Sequence, residues 1–330
     1  MRHSDDNIIL IYQNTPCAVF GNFQNPYKEL SSKLVLEKKI PVFRRITGGG
    51  CVYHDLGMLI FSFISHQNIN PDQNIQFIRD NIFQFTGINA VQGEKYDILM
   101  KGLDGSLNKI SGSALKKIKN RQLHHCTLLV NSQIDFFDEL FMPFNINCLG
   151  KSLPSRRAKC QTLADIKHDC RPELLLNQFK EKYRPIYFAD YLDQVNVSDL
   201  NNLKLIQEKI ESIKFRLMDL IPFVIEIPLL WKDSETFFSL SMDVDDGVVQ
   251  KVDFKWLTEL PPMGPKIMGE VFHISQQLKG LSLFQSKNSD RELAEKINLV
   301  LQKIQAKLPF SGINRFDHLI SHLKFMSIPS

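Results

Sequence analysis

Apolar runs alternate with short polar interruptions from the start of the chain. Ile8 to Tyr12 and Ala18 to Phe20 read as short strands around an Asn14-Thr15-Pro16 turn. Tyr27 to Lys39, entered just after Pro26, has the spacing of one helix. Val42-Phe43 leads into a run of glycines, and Met58 to Ile64 is an apolar strand. Ile75, Phe77, Ile78, Ile82 and Phe83 recur at helical spacing within Asp72 to Phe85, with Asp72 placed after Pro71 to cap that helix. Tyr96 to Lys101 and a polar-apolar stretch through Lys109 flank Gly102-Leu103-Asp104-Gly105, which predicts a hairpin, and Cys126 to Val130 predicts a further strand.

From Asp165 the pattern turns helical, with a helix predicted from Pro172 to about Tyr183 and the same trend over Ser198 to Leu217. Tyr191 to Asn202, polar and without strong periodicity, is the expected linker. Alternating runs around Asp246-Gly247 predict a second hairpin, and Asp290 to Leu308 an amphipathic helix. The expected fold class is α/β (α+β), with a large mixed-sheet domain over residues 1–195 and a small α+β accessory domain over 205–330.

Composition narrows the partners more than the fold. A 330-residue chain with 43% hydrophobic content is globular. Lys plus Arg number 40 against 36 Asp plus Glu, a net of +4, too mild and too dispersed to imply nucleic-acid binding. An acidic protein partner would suit that surface. The six cysteines form no C-x-x-C pair, which argues against a disulfide framework or a zinc cage. The opening MRHSDDNIILIYQN has neither a signal-peptide core nor transit-peptide character, and the apolar reading from Leu217 to Leu230 is broken by Asp219, Pro222, Glu226 and Pro228. A monomer in a reducing cytoplasm, away from membranes, is therefore expected, with the mitochondrial matrix as the alternative.

Three clusters carry candidate chemistry: Arg44-Arg45 with Gly48-Gly49-Gly50 and His54-Asp55, then Asp97 with "NKISGSA" over 108–114, then "HHCTLL" over 124–129. A glycine triplet after a strand lets main-chain N–H groups approach an oxyanion, but it serves equally as a bulge in a sheet. The spacing is that of neither a P-loop nor G-x-G-x-x-G. Strand alternation sends Arg44 and Arg45 to opposite faces, so one can face a site while the other meets solvent or a carboxylate. Lys109 could stabilise charge building on an acyl-phosphate, or be a solvated hairpin lysine. Asp97 could hold a nucleotide amine or a cation, or be a strand-edge charge. Adjacent strand positions separate His124 from His125, which favours a structural pair over a metal site, and Cys51 and Cys126 read as buried thiols.

Taken jointly, "RRITGGGCVYHDLG", "KYDILMKG…NKISGSA" and "HHCTLLVN", with "GNFQNPYKE" and "GKSLPSRRAKCQTLADI", resemble the lipoate–protein ligase and lipoyltransferase family over roughly residues 8 to 185. That resemblance implies a catalytic domain related in fold to biotin ligases plus a small accessory domain. It implies that lipoate and ATP form lipoyl-adenylate, whose acyl group passes to one lysine of a lipoyl domain. Lys109 would contact the acyl-adenylate. Arg45, Gly48, Gly49, Gly50 and His54 would line the lipoyl and phosphate channel, Asp97 would sit by the adenylate and Mg²⁺, and Ser111, Gly112 and Thr127 would support it. Implied partners are the E2 lipoyl domains of 2-oxoacid dehydrogenases and the glycine-cleavage H protein. Holding two anions together calls for Arg, Lys, N–H groups and Mg²⁺ rather than an enzyme nucleophile.

The chain departs from the pattern in several places. Met58 stands where the family carries Asn, while Tyr96 and Cys126 resemble the mitochondrial lipoyltransferases. Phe215 and Asp219 lie near the place of a lost Trp and Gly. The strand and helix that the family places before "IILIYQN" are expected to be missing. Two further readings follow from these departures: a transferase that uses preformed lipoyl-adenylate or a lipoylated donor, and an inactive lipoyl-domain-binding homologue.

Overall fold

In the computed structural model, residues 6–142, 147–183, 222–230, 237–245, 248–256, 276 and 279–280 are described. Along the chain run β1 (Ile8–Tyr12), β2 (Cys17–Phe20), α1 (Pro26–Glu29), α2 (Ser32–Glu37), β3 (Val42–Arg44), β4 (Val52–His54) and β5 (Met58–His66). Next come α3 (Pro71–Thr86), β6 (Ala90–Gln92), β7 (Ile98–Lys101), β8 (Leu107–Ser111), β9 (Ser113–Ile118) and β10 (Arg121–Leu129). The remaining elements are α4 (Ile134–Leu140), β11 (Asn147–Gly150), α5 (Pro172–Tyr183), β12 (Phe223–Leu230), β13 (Phe237–Asp245) and β14 (Val248–Trp256). Two compact units emerge, one of Met1–Asn22, Arg45–Asp138 and Ser155–Leu205, the other of Phe23–Arg44, Glu139–Pro154 and Ile206–Ser330.

In the first unit the main sheet has the order β1-β5-β10-β9, and a smaller sheet the order β6-β7-β8. β5 is buried along almost its whole length, as expected of a central strand covered on both faces. Leu59, Phe61 and Phe63 on it pack with Ile75, Ile78 and Ile82 of α3 and with Leu175 and Phe179 of α5. The Phe61 and Phe179 rings meet edge to face at 5.5 Å. β2 pairs antiparallel with β4, from Cys17 opposite His54 to Val19 opposite Val52. Both the Gly102–Gly105 hairpin and α5 occur as the sequence suggests, and Gly105 takes the left-handed φ of +81° that the turn needs.

Three expectations change. The single helix over Tyr27 to Lys39 is two short ones, because Leu30 is extended and fully buried and the Ser31 hydroxyl caps α2 by accepting from the Leu34 N–H. The α3 cap is Asn70 rather than Asp72, since Pro71 occupies the first helical position and the Asn70 side chain accepts from the Asp72 N–H. Tyr96 does not begin a strand. Glu94–Tyr96 forms a 3-10 turn in which Lys95 and Tyr96 have φ of 52° and 65°, and β7 starts at Ile98.

In the second unit, β11-β12-β13-β14 form one antiparallel sheet, and β13 and β14 are the two arms predicted around Asp246-Gly247. Asn25 caps α1 through the Tyr27 N–H, and Tyr27, Leu30 and Val35 are buried. The linker over Tyr191 to Asn202, the helical trend over Ser198 to Leu217 and the helix over Asp290 to Leu308 lie outside the described residues.

Candidate active site

The glycine loop is folded round Arg45. The Arg45 backbone N–H donates to Phe20 O at 3.0 Å. Its Nη2 donates to Gly48 O and Gly50 O, both at 2.7 Å, its Nη1 to Val19 O at 3.1 Å and its Nε to Thr47 Oγ1 at 3.1 Å. A planar cation with a fork of donors is suited to gathering several carbonyls, and it leaves the loop's N–H groups uncommitted to these bonds. Two glycines are required for different reasons. Gly49 has φ of +91°, and a Cβ on Gly21 would lie 2.2 Å from Gly49 O. From the C-terminal part of the same unit, Ser155 Oγ accepts the Cys51 N–H at 2.8 Å.

Two imidazoles sit near the loop, His54 buried and His125 half-buried. His54 Nδ1 is 2.9 Å from Asn14 Nδ2, and His125 Nε2 is 3.0 Å from Thr47 Oγ1. Burial, then the charge on Arg45, pushes each down to about 4, so both are neutral at pH 7. His124 points the other way, as strand alternation requires, with its Nδ1 3.0 Å from Asn74 Nδ2. Burial pushes it down to about 4 as well. His54 is thus a buried, neutral imidazole held by Asn14.

Lys109 lies on β8 and Asp97 just before β7. The Lys109 Nζ is 2.8 Å from Asp97 Oδ2, and the two side chains are 23% and 26% exposed, so a ligand can reach the pair. The left-handed Lys95-Tyr96 turn presents Asp97, and Ser113 Oγ–H donates to Tyr96 O at 2.7 Å to fix that turn. Gly112 N–H donates to Thr127 Oγ1 at 3.2 Å, and Thr127 N–H donates to Gly112 O at 2.9 Å. A Cβ on Gly112 would lie 3.3 Å from Lys109 Cε, so the glycine leaves the lysine stem its path. Ser111 is fully buried, and its Oγ has no hydrogen-bond partner among the described residues.

The sequence-selected residues therefore converge. A Cβ built on Gly49 would lie 3.8 Å from Ala114 Cβ and 3.9 Å from Ser113 O, which places the glycine loop against the strand that follows Gly112. Cys126 is buried with its thiol pushed up to about 12 by burial, as an inert thiol should be. Cys51 is instead only half-buried, because it sits in the loop rather than in the core. Met58 is buried at the head of β5, opposite Leu129. Among the described residues no group of three or more His, Cys, Asp or Glu could hold a metal ion. Sequence reasoning missed Thr47, although it sits inside the glycine motif, and Ser155, although it lies in a matching block. Nothing local marks Asn14.

Fold and site together make an α+β domain that carries a lysine–aspartate pair and an arginine-wrapped glycine loop lying against the strand that follows Gly112. The chain belongs to the lipoyl protein ligase A/B catalytic domain family, whose model matches residues 1–184. It is 30% identical to lipoate–protein ligase 1 of Plasmodium falciparum over 58% of this chain and 46% of that protein. Against lipoate-protein ligase A of Psychrobacter cryohalolentis it is 31% identical, over 62% of this chain and 59% of the relative. The corresponding figures for lipoate–protein ligase 1 of Staphylococcus aureus are 30%, 64% and 61%. The chain thus spans about half to three fifths of the length of these curated relatives. The fold recurs in P. falciparum LipL1 in complex with lipoate, at 23% identity over 97% of this chain and 88% of that one, with a TM-score of 0.54. It recurs also in a bi-partite lipoate protein ligase of Thermoplasma acidophilum, at 20% identity over 66% and 86%, with a TM-score of 0.50.

Proposed function

We propose that the protein is an ATP-dependent lipoate–protein ligase, with residues 1–195 catalytic and 205–330 accessory. A lipoate carboxylate oxygen bonds to the α-phosphorus of ATP as the bond to pyrophosphate breaks. An acceptor lysine amine then attacks the acyl carbonyl, AMP leaves, and the nitrogen gives up its proton as the amide forms. The observation that carries this reading is the Lys109–Asp97 pair at 2.8 Å, reachable by a ligand and bordered by Gly112. Lys109 hydrogen-bonds the mixed anhydride where negative charge develops, and the loop N–H groups around Gly48, Gly49 and Gly50 bind its oxygens.

Magnesium fits in a limited way. Asp97 supplies one carboxylate, which suits an ion that takes one or two protein carboxylates and completes its shell with phosphate and water. When bound, the ion neutralises phosphate charge. That the relatives are lipoate–protein ligases supports lipoate as the substrate, and an E2 lipoyl domain is described with the archaeal ligase. Acceptors of that class, including the glycine-cleavage H protein, follow. The protein acts as a monomer in the cytoplasm, or in the mitochondrial matrix. The test is incubation with ATP, Mg²⁺, lipoate and an apo lipoyl domain, following pyrophosphate and the acceptor's mass. Transfer from synthetic lipoyl-adenylate without pyrophosphate release would assign the transferase reading instead, and neither reaction would leave a lipoyl-domain binder.

A further inference from the structure

Lys109 is held differently along its two edges. On the β7 side Lys109 pairs opposite Leu99, but the ladder slips by one residue just beyond it, Ile98 standing opposite Ser111, so Ile110 is an extra residue and the regular pairing ends at the lysine. On the other side runs a strip from fifty residues further on. Lys109 N–H donates to Lys159 O at 2.8 Å, Gln161 N–H donates to Lys109 O at 3.0 Å, and Cys160 pairs with Lys109 in a parallel bridge. These main-chain bonds would form equally well with the strip displaced by two residues, since every residue offers the same groups. Two side-chain links make the register unique. One, Lys159 Nζ to Asp104 Oδ2 at 3.0 Å, joins groups 68% and 56% exposed and so contributes little.

The other is buried. Asn108 Nδ2–H donates to Gln161 Oε1 at 3.0 Å, between residues 4% and 8% exposed. Around it the fold makes room: a Cβ on Gly102 would lie 2.8 Å from Asn108 Nδ2 and 3.1 Å from Gln161 Oε1. Immediately after Gln161, Thr162 and Asp165 close a reciprocal capping box, and Leu163 is fully buried, so the far end of the strip is anchored to the core. We propose that Gln161 is a positioning residue for the ligase reaction, its amide oxygen fixing through Asn108 the register that aims Lys109. The proposal rests on the assignment of Lys109 made under Proposed function. Gln161 acts through the backbone on either side of the lysine. Loss of its acceptor strands a buried amide and frees Lys109 to shift, and displacement of a reacting group by even about an ångström is costly.

Gln161→Met keeps the shape and removes the acceptor, whereas Gln161→Glu keeps an acceptor oxygen. In the full chain, with ATP, Mg²⁺ and lipoate, Gln161→Met is expected to lower kcat for adenylation about tenfold with KM for lipoate unchanged, and Gln161→Glu to stay within about threefold of the parent. Hydrogen exchange at the Lys109 amide is expected to accelerate about tenfold in Gln161→Met, while β5 and β10 stay protected. In Asn108→Leu/Gln161→Met no buried group is left unpaired, so thermal stability returns but kcat does not. Parental kcat and parental Lys109 exchange in Gln161→Met overturn the proposal, as does a Glu variant as slow as the Met variant. If Gln161→Met does not fold, parental kcat in the double variant overturns it. Lys109→Ala separates this from the underlying assignment: full adenylation in that variant sinks the role of the lysine, while the exchange result still decides what Gln161 does.

Discussion

The Nζ of Lys109 and the Oδ2 of Asp97 are 2.8 Å apart, so each charge is held by the other. On the ligase reading proposed above, an anion entering beside Lys109 would compete with Asp97 for the ammonium, and a cation accompanying it would take up the carboxylate so released.

Lys109→Ala is therefore expected to lower lipoyl-adenylate formation by about 10² to 10³, the range seen when one donor to a developing oxyanion is removed. Lys109→Arg should recover little of this, because the wider guanidinium must pass Gly112, whose added Cβ would already crowd Lys109 Cε at 3.3 Å. Pyrophosphate release with saturating substrates measures both. A Lys109→Ala enzyme of parental rate would remove this lysine from the chemistry.

Two glycine substitutions separate close approach from backbone conformation. Gly21→Ala sets a methyl 2.2 Å from the Gly49 carbonyl oxygen, and only backbone movement relieves that. It should cost about 1–3 kcal/mol, the usual range for overpacking, and weaken binding of a lipoyl-adenylate analogue. Gly49→Ala meets the Arg45 Nη2 at 3.0 Å and strains a φ of +91°, at roughly 1–2 kcal/mol. Denaturant midpoints and analogue titration give both quantities. Equal and negligible effects would mean that the loop is looser than its contacts imply.

Acid should weaken the fold through its three shifted histidines. His54, His124 and His125 are pushed down to about 4 in the fold from the usual 6.5, so between those values the unfolded chain binds protons that the fold refuses. Stability is complete above about pH 6.5 and falls as pH drops toward 4. Each such proton adds about 1.4 kcal/mol per pH unit to the slope. Urea unfolding at pH 7 and pH 5 measures the fall. His124→Gln, which retains a partner for Asn74, should flatten it by about one proton's share.

Thiol reactivity should follow burial. Burial pushes Cys17 up to about 11 and Cys126 and Cys148 up to about 12, so at pH 8 none of the three carries appreciable thiolate. Brief iodoacetamide treatment of the folded protein followed by mass mapping should find them unmodified. Guanidinium should expose all three. Rapid labelling of Cys126 in the fold would contradict its place in the core.

Where the chain's own periodicity carries the information, the sequence was readable. The apolar run from Met58 and the Gly-Leu-Asp-Gly turn each specify one local shape. Tyr27 to Lys39 misled because the helical spacing continues across a break at Leu30, although the Ser31 cap was there to be weighed. Positive φ at Lys95 and Tyr96 leaves no trace in hydrophobicity, so periodicity alone places the start of the strand ahead of Ile98. The glycine loop, Lys109 and Asp97 stand out in the sequence as motifs, and the structure sets Lys109 against Asp97. Arg45 was expected to face a ligand, but its guanidinium is spent on the carbonyls of its own loop, a partnership that no spacing rule encodes. The strip at Lys159 to Gln161 was invisible for a different reason: parallel pairing across fifty residues has no local period to read.

That strip also sets an order of events. A chain synthesised as far as Val130 already holds every described strand of the two sheets in its first unit. The outer edge of β8 is bare at that stage, and its closure must bring together residues far apart in sequence, a step that loop entropy makes late and slow. Closure of that edge therefore follows the scaffold, once residue 161 has emerged and docked, and on the proposed ligase reading a half-made protein would have no place for an acyl-adenylate to form.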